Sequence, residues 1–317
     1  MLILWWVLSI FAIIYVYFWY YFKNTVWCRS QTCLIGKTII VTGANTGIGY
    51  EAALDFAKRG ARVILACRNK DKAEIARGKI IEETGNDNVV VKIVDLASLA
   101  SVRAFAESIN KTEKRLDVLV NNAGAALTGE GKSEDGLIWL MQVNYFSSFL
   151  LTNLLMGILK KSAPSRVINV SSKGALRAKF DLEKLNTNRG HFQNYCCSKV
   201  CNILFTRELA ERLKGIDVTT YSLHPGTVKT EIFRHIDGYR KVLIEFLKAH
   251  FLKTSEEGAQ TIIYTAVAKG IEQYSGENFD NCTCVDPYES TIGPNFEKGL
   301  WEKSIELVNL KSDEMQL

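Results

Sequence analysis

Tyr195 and Lys199 stand four residues apart in Tyr195-Cys-Cys-Ser-Lys199, inside a segment of helical pattern from about Gln193 to Leu213. That spacing puts a phenol and an ammonium on one helix face. With an ordinary pKa of about 10, a phenol is a poor base at neutral pH. A cation about 4 Å away, at an effective dielectric of ~20, contributes up to about 4 kcal/mol, roughly a thousandfold in acidity before desolvation takes some back. Lys199 is therefore expected to bring Tyr195 toward neutral pH, where general acid–base catalysis works best. Taken alone, this pair is also a common surface arrangement. Its company argues for chemistry: Ser172 ends the apolar run Arg166–Val170, and a glycine turn lies upstream.

That turn is Thr42-Gly-Ala-Asn-Thr-Gly-Ile-Gly49. It follows the β-rich run Thr38–Val41 and precedes a helical pattern from Tyr50 to Lys58. Glycines there let the backbone approach a pyrophosphate, and a helix N-terminus offers free N–H groups to its charge. The plainer alternative is a glycine-rich strand-to-helix turn. The spacing G-x3-G-x-G differs from the G-x-G-x-x-G of dinucleotide folds, so that rule transfers only in part. At the end of the next strand, where an acidic residue would bond a ribose 2′-OH, the chain reads Cys67-Arg68. With no carboxylate to repel a 2′-phosphate and a guanidinium to pair with it, NADP(H) is the expected cofactor.

The elements that must hold these groups alternate. Apolar strands are expected at Ala61–Ala66, Val89–Val94, Asp117–Val120, Arg166–Val170 and Val218–Leu223. Helices are expected between them, one of them a single long run from about Glu134 to Leu159. Strands alternating with helices give an α/β fold, a doubly wound parallel sheet in one Rossmann-like domain. Ligands in such sheets sit beyond the C-terminal strand ends. Asp95-Leu96, Asn121-Asn-Ala-Gly124, Ser171-Ser172 and His224-Pro-Gly226 all fall at such ends.

Residues 1–22 carry no charged side chain and only Ser9 as a small polar one. The run is long enough for a bilayer core, which takes about 20 apolar residues. Trp and Tyr lie toward its ends, and no cleavage pattern of a signal peptide follows it. A transmembrane anchor is expected, and the basic residues after it place the remainder on the cytosolic side. Residues 23–36 read as a linker, 37–290 as the catalytic domain and 291–317 as a C-terminal helix and tail. Residues 227–253 interrupt the rhythm with mixed apolar and basic residues, Lys253 among them. They read either as an ordinary amphipathic insertion or as a lid over an apolar pocket touching a membrane face. With 39 basic and 34 acidic residues the net charge is +5, and no Lys/Arg block suggests nucleic acid. The eight cysteines lack paired C-x2-C spacing and the four histidines are dispersed, so free thiols and no metal are expected.

In combination these motifs resemble the short-chain dehydrogenase/reductase family, over roughly Lys37 to Asp286. They are Thr42-Gly-x3-Gly-Ile-Gly49, Asp95-Leu96, Asn121-Asn-Ala-Gly124, Val143-Asn144, Val170-Ser-Ser172, Tyr195-x3-Lys199 and Pro225-Gly-x3-Thr230. Within the family the chain is similar to the membrane-anchored retinol dehydrogenases, through its apolar N-terminus, Leu65-Ala-Cys-Arg68 and Leu204-Phe-Thr-Arg-Glu-Leu209. The resemblance implies hydride transfer between a nicotinamide and a carbonyl or alcohol. It makes Tyr195 the acid/base, Lys199 its activator and ribose ligand, Ser172 the partner of the substrate oxygen and Asn144 the anchor of a water-linked proton relay. It assigns the cofactor groove to Gly43, Asn45, Thr46, Gly47, Ile48 and Gly49, with Arg68, Asp95 and Leu96 toward the adenosine. Asn122, Ala123 and Gly124 line the groove, and Pro225, Gly226, Val228 and Thr230 hold the nicotinamide end. It suits a lipophilic substrate such as a retinoid, on a single-pass protein of the endoplasmic reticulum. A steroid, fatty aldehyde or xenobiotic carbonyl, a non-catalytic nucleotide-binding scaffold and a homodimer stay open.

Overall fold

The computed structural model describes residues 2–126, 131–228, 252–285 and 296–315. Thr230 and most of the 227–253 insertion fall outside them. The elements in chain order are helix α1 (Leu2–Lys23), β1 (Thr38–Thr42), α2 (Gly47–Lys58), β2 (Arg62–Cys67), α3 (Lys70–Thr84), β3 (Val89–Ile93), α4 (Leu99–Thr112) and β4 (Val118–Asn121). There follow α5 (Ser147–Lys161), β5 (Ser165–Val170), α6 (His191–Arg212), β6 (Val218–His224), α7 (Ser255–Val267), β7 (Asn278–Asp280), β8 (Thr283–Val285) and α8 (Phe296–Leu307).

The strands form one sheet in the order β3-β2-β1-β4-β5-β6-β7-β8. Every pairing is parallel except β7 with β8. The order reverses at β1, which lies between β2 and β4, and a crevice opens at such a reversal. Alternate residues of each strand feed two cores. Ile40, Ile64 and Val167 pack with α4, α5, α6 and α8 on one face, around Phe149, Phe205 and Trp301. Ile39, Val41 and Ile168 pack with α2, α3 and α7 on the other. The parallel α/β sheet expected from the alternation is what forms.

Two features depart from the sequence reading. The single helix expected from Glu134 to Leu159 is broken: Gly136 sits at φ +74°, Lys132 pairs with Ile138, and α5 is entered through a π-helical turn at Gln142–Phe146. Helix α7 and the β7–β8 hairpin have no counterpart in that reading. The local signal for α7 is a capping box, in which Thr254 accepts from the Glu257 amide and Glu257 from the Thr254 amide. Helix α1, 22 residues long, covers the expected anchor, and among the described residues no helix is long and apolar enough to cross a membrane.

The stretch after α1, expected as a linker, is stitched to the domain. Lys23 pairs with Glu257 at 3.2 Å. The Val26 amide donates to Asn281 Oδ1 (2.8 Å) and the Cys28 amide to Gln260 Oε1 (3.0 Å). Thr32 Oγ1 donates to the Val267 carbonyl at 2.9 Å, and Arg59 to that of Ser30 at 2.6 Å.

Candidate active site

The glycine turn closes against the end of β4. The Thr42 hydroxyl accepts from the amides of Asn122 (2.9 Å) and Ala123 (3.0 Å), and Asn122 Nδ2 donates to the Thr42 carbonyl at 2.8 Å. A Cβ on Gly49 would stand 2.4 Å from Asn122 Nδ2 and 2.6 Å from the Gly43 carbonyl, so only glycine fits there. This packing draws α2 close behind the turn. Thr46 caps α2 without a side-chain hydrogen bond, which leaves first-turn amides for an anion. Asn122 Oδ1 is buried with no hydrogen-bond partner among the described residues. Uncommitted helix amides, an orphaned acceptor and a glycine cradle are the donor set a dinucleotide takes, and the residues fit that group.

A cleft of about 1560 Å³ runs over the strand ends. Gly43, Asn45, Thr46, Gly47, Ile48 and Gly49 line it from the turn, and Arg68, Asp95 and Leu96 from the tips of β2 and β3. Asn122, Ala123 and Gly124 line it from β4, and Pro225, Gly226 and Val228 from β6. Arg68 is exposed at the rim, and among the described residues no carboxylate is within ion-pair distance of it. The Asp95 carboxylate is turned to its own loop, accepting from the Ala97 amide at 2.9 Å.

Ser172, Tyr195 and Lys199 also line the cleft, and they converge. A Cβ built on Gly174 would touch both the Tyr195 ring edge (3.1 Å) and the Ser172 hydroxyl (3.4 Å). Lys199 Nζ lies 5.8 Å from the Tyr195 ring centroid and donates to the Val170 carbonyl at 3.0 Å. The Ser171 hydroxyl donates to the Lys199 carbonyl (2.7 Å), tying α6 to the end of β5. Asn144 lies behind this group, on the π turn, 1% exposed. It accepts from the Ala125 amide, donates to the Ala125 carbonyl (each 2.8 Å) and donates to Ser198 Oγ at 3.1 Å. π turns recur at functional sites, and this one fixes the residue joining the β4 loop to the helix that bears Tyr195.

The electrostatics reverse one expectation. Burial raises the Tyr195 phenol above its ordinary 10, with a hydrogen bond to Ser172 pulling the other way. Lys199 is pushed down to about 8 by burial. In both groups desolvation, which favours the neutral form, is the largest influence. The phenol thus carries its proton at neutral pH, as a donor must. Burial also raises the Cys196 and Cys197 thiols, so they are packing groups of low reactivity.

Sequence reasoning missed four groups on the same cleft: Lys173, Asp280, Asn281 and the buried side of Lys253. Lys173 and Asp280 pair at 2.8 Å. His224 is buried beside them, drops to about 4 through desolvation, and accepts the Lys173 amide on Nδ1 at 3.3 Å. Lys253, grouped by sequence with the basic residues of a surface insertion, is only 6% exposed.

The short chain dehydrogenase family model matches residues 37–240. Among curated proteins, mouse retinol dehydrogenase 11 is 46% identical over 290 residues, covering 90% of each chain. Human retinol dehydrogenase 12 is 43% identical over 288 residues, again 90% of each. The bovine dehydrogenase/reductase SDR family member 13 is 42% identical over 93% of this chain and 79% of its own. Among solved structures, one from Mycobacterium paratuberculosis aligns with a TM-score of 0.72 and 28% identity, over 90% of this chain and 98% of that one. A short chain dehydrogenase from Escherichia coli CFT073 complexed with NADPH aligns at 0.62 and 26%, over 80% and 99%.

Proposed function

Because the chain belongs to the short-chain dehydrogenase family, whose members are nicotinamide-dependent oxidoreductases, we propose that it is an NADP(H)-dependent reductase of lipophilic carbonyls, retinal foremost. The observation that carries this reading is the convergence of Tyr195, Lys199 and Ser172 on one wall of a cleft whose far end is a glycine turn. When bound, the nicotinamide supplies hydride to the carbonyl carbon. Ser172 holds the carbonyl oxygen and Tyr195 gives it the phenolic proton. Lys199 stabilises the phenolate left behind, and a relay anchored at Asn144 restores the proton. With its pKa raised by burial, the phenol is protonated at neutral pH and can act as the proton donor in reduction. The retinoid reading leans on relatives that carry the name retinol dehydrogenase.

Support for NADP(H) comes from Arg68 at the cleft rim, beside a β2 tip that ends in Cys67 rather than a carboxylate. A charge-assisted Arg–phosphate bond contributes about 1.5–3 kcal/mol. Arg68→Ala is expected to raise the KM for NADPH about tenfold or more while moving that for NADH less than about twofold; equal effects would remove Arg68 from the 2′-phosphate. In the same assay, retinal is expected to be turned over ahead of steroid, fatty aldehyde and xenobiotic carbonyls. Another order changes the substrate; cofactor binding with no turnover on any carbonyl favours a scaffold.

We propose also that α1 attaches the protein to the endoplasmic reticulum membrane with the cleft on the cytosolic side. Trp5, Trp6, Ile13, Val16 and Tyr20 stand exposed on it, and exposed apolar surface of that extent marks an interaction face. Full-length protein is expected to float with liposomes and a chain lacking residues 2–22 to sediment. Flotation of both would detach the membrane role from α1.

A further inference from the structure

Lys253 is a buried cation that the chemistry above does not use. It precedes the cap of α7, and its amide donates to the Thr227 carbonyl at 2.9 Å, pairing it beside Val228. That pairing lays its stem across Gly226, where a Cβ would come 2.7 Å from Lys253 Cδ. Gly226, at φ +86°, is therefore required for the stem to lie there. The ammonium donates to Asn281 Oδ1 at 3.2 Å. Asn281 is itself fixed, because it and Cys282 form the two-residue turn between β7 and β8 with φ of 50° and 61°.

Around this ammonium the carboxylates are engaged elsewhere. Asp280 pairs with Lys173 and Glu257 with Lys23, and among the described residues no carboxylate lies within ion-pair distance of Lys253. Burial lowers its pKa, with Asp280 and Glu257 drawing it back up. A cation held out of water without a counter-ion is costly unless an anion completes it. The cleft it lines is the one floored by Gly47 and Ile48 at the start of α2. Those walls touch: a Cβ on Gly258 of α7 would meet Val228 Cγ2 at 2.5 Å and Ile48 Cγ2 at 2.8 Å.

We propose that Lys253 is a phosphate ligand of the dinucleotide, the cation that faces the α2 amides from the opposite wall of the groove. The inference rests on reading the cleft as a nicotinamide dinucleotide site. It assigns the 2′-phosphate to Arg68 and the bridging diphosphate, common to both nicotinamide dinucleotides, to Lys253. Titration calorimetry on the full chain in detergent separates these roles. Lys253→Met is expected to weaken NADPH and NADH alike, by about tenfold or more, and to flatten the salt dependence of both. Lys253→Arg is expected to bind both within about threefold of wild type. A folded Lys253→Met with wild-type affinity for both dinucleotides overturns the proposal. So does a loss confined to NADPH. Should Lys253→Met not fold, Lys253→Gln keeps much of the stem and a donor for Asn281, and its undiminished affinity overturns the proposal equally. Failure of the wild-type chain to bind either dinucleotide would instead overturn the reading of the cleft, and this assignment with it.

Discussion

Tyr195→Phe is expected to leave NADPH affinity and folding unchanged and to lower kcat for carbonyl reduction by about a thousandfold, close to 4 kcal/mol of barrier. The substitution removes one oxygen and keeps the ring whose edge packs at Gly174. What it removes is the proton that the alkoxide oxygen must receive, and Ser172, with an ordinary hydroxyl, cannot supply it at neutral pH. A single-turnover measurement with saturating NADPH separates this loss from binding. Retention of more than about a tenth of the wild-type rate would take Tyr195 out of the acid role.

Lys199→Met is expected to move activity and stability in opposite directions. A fall from 10.5 to about 8 means that the folded state disfavours the ammonium, at about 1.4 kcal/mol per pH unit, or about 3 kcal/mol in all. The unfolded chain binds more protons than the folded one between those two values. Stability therefore rises with pH through that window, and the cost is fully present below pH 8. Methionine fills similar space without a charge. It forfeits the bond to the Val170 carbonyl, about 1 kcal/mol, but Asn202 Nδ2 still donates to that carbonyl at 3.1 Å. The variant should thus gain about 2 kcal/mol, a rise of several degrees in Tm at neutral pH. Its turnover should fall by about a hundredfold, because the phenolate formed on proton donation loses its cation. In the wild-type enzyme, kcat/KM for reduction should decline as pH rises through about 8, where Lys199 titrates. The variant's profile should show no such limb. A destabilised Lys199→Met, or a limb that persists in it, would contradict this account.

The site was legible because its parts have strong local signatures. Apolar runs of four to six residues ending in polar pairs announced the parallel strands, and spacing announced the shared face of Tyr195 and Lys199. What stayed hidden depends on depth and on distant pairing. Nothing in Tyr195-x3-Lys199 says that both groups are buried far enough for desolvation to reverse the expected shift. Strands β7 and β8 are three residues each and rich in polar side chains, so no periodicity could emerge; they exist because β6 offers an edge to pair with. The π turn at Asn144 has no compositional mark. Lys253 looked like one more surface charge because Gly226, 27 positions earlier, is what makes room for it.

The stitching of residues 23–32 bears on how the enzyme is handled and how it sits. A floppy tether would let the catalytic body tumble above whatever α1 rests on. Here one asparagine, Asn281, receives both the strap at Val26 and the ammonium of Lys253, and Tyr17 and Tyr20 reach the rim of the groove. The groove therefore keeps a set height and bearing relative to α1, like a drawer built into the wall beside its bracket. Shortened versions for crystallisation should begin near Asn24 rather than at Lys37, since the later start unpicks the seam that braces α7 and the cofactor's far wall.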